Sequence, residues 1–151
     1  MRLDRLAVHD LLAEYGGLLD AAQYDEWLGL FAARCRYRVM PRENWERGLP
    51  AAVIFCDSRA VLEDRIMALR EANKFNIHSD RHLIGLPRLL ESATVEASFA
   101  VYQTDQEGET RLFAAGLYRT RLEAGADAPK IRDQLVLLDT FAVPTLLATP
   151  L

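Results

Sequence analysis

Everything after Arg81 reads as strand. Four long segments, RHLIGLPRLLE, ATVEASFAVYQTD, TRLFAAGLYRTRLE and KIRDQLVLLDTF, are rich in apolar and β-branched residues, and the turn signals DQEGE and AGADAP separate the last three. Val95, Ala97, Phe99 and Val101 alternate with polar or small residues, and Leu112, Ala114, Gly116 and Tyr118 alternate in the next segment. Strands of this length coil instead of lying flat. A coiled antiparallel sheet with one apolar face makes a cone, and another layer must close it.

The first half of the chain supplies that layer. RLAVHDLLAEYGGLLDAAQ is an amphipathic helix with Leu3 (or Leu6), Leu11, Tyr15, Leu18 and Leu19 at helical spacing. Its Gly16-Gly17 pair is unfavourable inside a helix, at about 1 kcal/mol per glycine relative to Ala, and permits a close helix crossing. YDEWLGLF reads as a short second helix with Tyr24, Trp27, Leu28 and Phe31 on its apolar side. A strand over Cys35–Met40, a polar loop, and AAVIFC as a buried strand come next. DSRAVLEDRIMALREAN is the strongest helix, capped by Asp57 or Ser58, with Val61, Leu62, Ile66 and Leu69 on one face and Arg59–Glu63 as an (i, i+4) pair. The expected fold is α+β: one domain over residues 1–151, a strongly curved antiparallel sheet covered by about three helices.

Composition narrows the function. The net charge of −4 offers no basic field to nucleic acid. No apolar run approaches the length of a membrane span, and Asp10 and Glu14 interrupt the opening pattern, so neither a membrane anchor nor a signal peptide is expected and the chain is placed in the cytoplasm. Cys35 and Cys56 lie in apolar runs and read as small buried hydrophobes, not as a disulfide framework or metal motif.

Three places invite a chemical reading. His78 and His82 have metal-ligand spacing on a helix, but on a strand they stand about 13 Å apart at ~3.3 Å per residue and share no ion. Tyr15, Asp20, Tyr24, Trp27 and His82 are the types that line a small-molecule pocket, and a carboxylate beside a buried His suits acid–base work; packing is the favoured reading of the tyrosines and Trp27, since aromatic residues on helical faces are usually core. Five of the sixteen arginines fall between Arg34 and Arg47, around Trp45. Trp and Arg dominate protein interfaces, so Arg42, Trp45 and Arg47 are candidates for contact with a partner.

The segments EYGGLLDAAQYDEWLGLFAARCRYRV, DSRAVLEDRIMALREA, RHLIGLPRL, FAAGLYRTRL and LLDT, in this order, resemble the small (β) subunits of aromatic-ring-hydroxylating Rieske oxygenases. PRENWERGLP followed by DSRAVLEDRI is most similar to the salicylate 5-hydroxylase and terephthalate dioxygenase branch. The resemblance implies a cone-shaped nuclear-transport-factor-2-like (NTF2-like, SnoaL-like) fold and assembly with a large α subunit as an α3β3 hexamer, with β–β contacts in a trimer. It implies no catalytic residue, metal or cofactor in this chain. A Rieske [2Fe-2S] cluster and a mononuclear Fe(II) belong to α, and electron-transfer components act indirectly. Asp57, Arg81 and His82 match family positions, which implies a buried polar network tying helix to sheet. The loop after the first strand and the segment before Arg81 are shorter than in the wider family. Two other readings stand beside this one: a free-standing dehydratase or isomerase using His82 and a carboxylate, and a small-ligand binding protein.

Overall fold

The computed structural model describes residues 2–72, 74, 77–139 and 150–151. The helices are α1 (Arg5–Asp20), α2 (Tyr24–Leu28), α3 (Arg42–Glu46) and α4 (Arg59–Ala72). The strands are β1 (Phe31–Pro41), β2 (Ile54–Cys56), β3 (Ser79–Ile84), β4 (Arg88–Leu89), β5 (Thr94–Thr104), β6 (Thr110–Glu123) and β7 (Lys130–Leu138). The expected ends at Asn73 and at Thr140–Phe141 lie outside the described residues.

The strands form one curved sheet in the order β2-β1-β7-β6-β5-β3, with β4 also paired to β5. It is not wholly antiparallel. β1 runs parallel to β7, with Tyr37 opposite Gln134 and Val39 opposite Val136. No hairpin joins these strands; the chain crosses α3, β2, α4 and the β3–β6 meander before it returns, and a crossover of that length allows a parallel pair. Register shifts in β1–β7, β5–β6 and β6–β7 bend the sheet into the cone. One shift breaks the expected alternation of β6: Val101 pairs with Ala114 but Tyr102 with Leu112, so Phe113 turns inward and Leu112 is exposed.

Other expectations change for local reasons. Phe31 opens β1 instead of closing α2, and RHLIGLPRLLE is two strands interrupted around Pro87, which has no N–H for a ladder. AAVIFC is a three-residue edge strand, buried only on the side of Ile54 and Cys56; Val53 and Phe55 are half exposed. The polar loop contains α3, one and a half turns ended by Gly48 at φ +65°. Ser58, not Asp57, caps α4, its Oγ accepting from the Val61 N–H at 3.3 Å, and Val61 itself is exposed.

The helices α1, α2 and α4 close the inner face of the sheet. α1 buries Val8, Leu11, Leu12, Tyr15, Gly16 and Leu19, and Asp4 caps its start. Gly16 serves a strand crossing instead of a helix crossing: a Cβ there would meet Ile84 Cδ1 at 3.0 Å and His82 Cβ at 3.2 Å on β3. Trp27, Tyr15, Tyr37 and Tyr118 are the largest fully buried side chains and fill the cone. Their rings meet edge-on or tilted at 5.5–5.8 Å, and Phe99 stacks on Tyr118 at 4.2 Å. A smaller apolar cluster, Met40, Leu135 and Leu137 with Ala52 and Leu117, lies apart from this core. Strand parity puts it on the opposite, outer face.

At Gly116 a Cβ would fall on the Leu137 carbonyl of the neighbouring strand. Backbone, unlike a side-chain tip, cannot rotate away. Gly116→Ala should therefore cost about 3 kcal/mol and lower the thermal midpoint by roughly 6–12 °C, read by circular dichroism.

Candidate functional site

Two regions hold the residues singled out from sequence. The first is the cone. Asp20 ends α1 and His82 sits on β3, and the close crossing at Gly16 brings them together. The Asp20 carboxylate accepts the His82 backbone N–H at 3.0 Å, and His82 Nδ1 lies 2.6 Å from Oδ1. Arg81, three-quarters exposed, stands 3.9 Å from Asp20. The network around Arg81 and His82 is thus built on Asp20. Asp57 is not its acid: it is exposed beside the first turn of α4, in a cleft with Ser58 and Arg59. His78 and His82 engage different carboxylates, His78 Nε2 lying 3.4 Å from Asp80 on extended chain.

Tyr15, Tyr24 and Trp27 belong to the packed core. Leu151 shares their space. The Tyr15 hydroxyl donates to its carbonyl at 2.6 Å, and Tyr37 donates to the same carbonyl at 3.2 Å while accepting the Leu151 N–H at 2.9 Å. Burial pushes the Tyr15, Tyr37 and Tyr118 hydroxyls well above the ordinary tyrosine range, and repulsion from Tyr37 raises Tyr15 and Tyr118 further, with Tyr118 adding to it at Tyr15 and Asp20 at Tyr118. Burial also raises the Cys35 and Cys56 thiols, which quiets them as nucleophiles.

The tyrosine shifts set the sign of an alkaline effect. Each folded-state pKa lies above its unfolded value near 10, so the stabilisation is complete below about pH 10 and is lost as pH rises above it. Absorbance at 295 nm should show three of the five tyrosines holding their protons until the fold is lost. Ionisation of all five while far-UV circular dichroism stays native would contradict this packing.

The second region is the outer face of the sheet. Arg36 and Arg38 on β1 both bind Asp133 on β7, and Arg88 on β4 and Arg119 on β6 both bind Glu96 on β5. The bond to Asp133 raises the Arg36 guanidinium above its ordinary range. Beside this ladder a cleft of about 470 Å³ carries Arg34, Arg36, Arg59, Arg121 and Arg132 against Asp57 and Asp133. The helix α3 packs on the same face. Its Trp45, 39% exposed, lies 5.9 Å from the Arg38 guanidinium. Arg42 pairs with Asp139 at 3.0 Å and Arg47 with Glu43 at 2.6 Å. Trp45, Leu49 and Phe55 border a second, apolar cleft of about 370 Å³ with Met40 at its base. The candidates Arg42 and Trp45 on α3, and Arg47 at its C-cap, therefore lie together at the rim of an arginine-rich, partly apolar sheet face. Sequence reasoning missed Asp133, Glu96, Arg88, Arg119 and Arg121. The alternation Arg36/Arg38 and Arg119/Arg121 was the available signal.

The family profile described as "Ring hydroxylating beta subunit" matches residues 16–145. This chain belongs to that family. The ring-hydroxylating β subunit described here is 34% identical over 143 residues to a β subunit of the terminal oxygenase component of terephthalate 1,2-dioxygenase from a Comamonas species, covering 92% of this chain and 93% of the relative. It is 32% identical over 148 residues to the small subunit of anthranilate 1,2-dioxygenase from Burkholderia cepacia, covering 95% and 92%. A crystal structure from Novosphingobium aromaticivorans, solved as the β subunit of a candidate aromatic-ring-hydroxylating dioxygenase, matches with 40% identity and a TM-score of 0.85 over 97% of this chain and 96% of that one. The fold alone extends further, to ActVI-ORFA of Streptomyces coelicolor at 16% identity and a TM-score of 0.70, covering 91% and 95%. The cone is the NTF2-like, SnoaL-like cone, and the β subunit is one component of an oxygenase complex. As a small subunit it implies a larger partner chain. Among the described residues no helix of the β subunit is long and apolar enough to cross a membrane, and no group of three His, Cys, Asp or Glu is placed to hold a metal ion.

Proposed function

We propose that this β subunit is a non-catalytic scaffold. It holds large α subunits in an α3β3 hexamer, with β–β contacts in a trimer. The Rieske [2Fe-2S] cluster and mononuclear Fe(II) sit in α, fed by electron-transfer components. The substrate is an aromatic carboxylate, and the complex is cytoplasmic. Relatives named for anthranilate and terephthalate support the substrate class. Free thiols at Cys35 and Cys56 suit a reducing compartment.

The outer sheet face carries the scaffold reading. A face turned only to water has no use for exposed Phe55 and Trp45 beside a ladder of paired arginines. The Arg42–Trp45–Arg47 helix and the adjoining cleft are the contact with α. The reading as a dehydratase or isomerase places Asp20 and His82 as the acid–base pair, but it needs an open cone, and here Trp27, Tyr15, Tyr37, Tyr118 and Leu151 occupy it.

Co-expression with the neighbouring large-subunit reading frame tests the division of labour. Mass measurement should give a hexamer, iron should follow the separated large chain, and aromatic-acid turnover should need both. Stoichiometric iron in the β chain, or turnover by it alone, would end this reading.

A further inference from the structure

Charge is divided unevenly along the length of the sheet. The arginine cleft lies at the end where β6 turns into β7. There Arg34 and Arg36 of β1, Arg59 of α4, Arg121 of β6 and Arg132 of β7 face only Asp57 and Asp133, in a chain whose net charge is −4. Three of the five arginines are braced: Arg36 by Asp133, Arg59 by Glu63 and the Phe31 carbonyl, and Arg132 by Glu123. Asp133 also serves Arg38, so it does not neutralise the cleft. The Arg34 and Arg121 side chains are exposed and bond nothing among the described residues. Free guanidinium forks in such a setting match carboxylates, which they take two bonds at a time.

The opposite end is acidic. The turn between β5 and β6, Asp105–Glu109, holds three carboxylates in five residues. Asp105 shapes it: its Oδ1 accepts the N–H groups of Glu107 at 3.0 Å and Glu109 at 2.9 Å, and its carbonyl accepts that of Gly108 at 3.2 Å. Glu107 and Glu109 are exposed, and their side chains bond nothing among the described residues. β6 runs from Thr110 beside this turn to Arg121 in the cleft, roughly 36 Å at ~3.3 Å per residue. The turn therefore cannot reach the cleft of its own chain.

A second copy has no such constraint. We infer that the β5–β6 turn of one copy docks in the arginine cleft of the next, with Glu107 and Glu109 meeting Arg34 and Arg121. The contact joins unlike surfaces, so copies follow head to tail, and closure makes a ring. This rests on the reading that β subunits touch in a trimer, and it names the surfaces that touch. Nucleic acid fits the cleft less well, because the acidic remainder of the chain repels a long polyanion, whereas a hairpin tip brings its charges into the cleft and goes no further. α3 follows the far end of β1 and stays free for α.

The full chain without its large partner tests the contact, by analytical ultracentrifugation over a range of concentrations. The parent should associate to a trimer, and the association should weaken as salt is raised. Glu107→Lys with Glu109→Lys, and separately Arg34→Glu with Arg121→Glu, should each weaken it by about 30-fold or more while melting like the parent. A chain with all four changes restores opposite charge across the contact and should regain the parent's association to within about tenfold. Mere damage to two surfaces would not give that recovery. A parent chain that stays monomeric at its highest soluble concentration, a reversed pair that leaves association unchanged, or a four-change chain no stronger than the pairs would each overturn the inference. Should a reversed chain melt below the parent, Glu107→Gln with Glu109→Gln and Arg34→Gln with Arg121→Gln replace the reversals, and association unweakened by both would overturn it equally. The two readings fail separately. A hexamer with α whose free β chain is indifferent to the reversals defeats this inference alone, and a free β trimer that gives no hexamer with the large chain defeats the α3β3 reading alone.

Discussion

A chain carrying Trp45→Ala with Arg42→Glu and Arg47→Glu should fold normally and fail to assemble with its large partner. The intramolecular pairs of these arginines are exposed, Arg42 with Asp139 and Arg47 with Glu43, and such pairs are worth about 0–1 kcal/mol each. Trp45 leans on Arg38 but is not in the core. The monomer therefore loses little. At an interface the balance differs: a truncated Trp or Arg at a contact centre costs about 2 kcal/mol or more, some 30-fold in affinity, and a reversed charge adds repulsion. Size-exclusion chromatography with mass measurement, on chains first shown to melt like the parent, reads the result. Assembly at parental concentrations would remove α3 from the contact.

Asp20→Ala should be the most damaging change among the polar residues. It strands the His82 N–H and imidazole beneath α1, where the His82 side chain is fully buried. Removing one partner of a buried, charge-assisted set costs about 3–5 kcal/mol. At roughly 2–4 °C per kcal/mol for a chain of this size, the midpoint should fall by about 6–20 °C. Asp20→Asn keeps one acceptor for the His82 N–H and should lose less. Asp57→Ala, at an exposed position, should change the midpoint by only a degree or two. If Asp20→Ala and Asp57→Ala melted alike, the network would have no structural weight.

The contrast between those two aspartates shows where sequence reasoning stops. Both stand near a helix end, and no local rule separates them. The close approach of α1 to β3 at Gly16 decides which one meets His82, and that is a tertiary fact. The helices α1 and α4 and the strands β5, β6 and β7 were legible because their apolar periods run over several turns or many alternations, whereas the five-residue α2 was found from Tyr24, Trp27 and Leu28 alone. α3 has five residues and gives no period to read. In β2 the run AAVIFC cannot tell which side faces out, because residues on both are apolar. The Arg42–Trp45–Arg47 candidates were visible by residue type. The ladder beside them was not, because Arg36 meets Asp133, and Arg119 meets Glu96, only through strand register.

The parallel pairing of β1 with β7 has a further consequence, for synthesis. Arg36 and Asp133 are 97 residues apart in the chain, yet they lie side by side near the middle of the sheet. While the ribosome is still making the meander, β1 has only the three-residue β2 to pair with. The sheet cannot close until residue 138 has left the exit tunnel, so its folding waits for the whole meander and is slow. Until then the nascent polypeptide holds β1 as an unpaired edge, and chaperones that shield such edges should govern its yield.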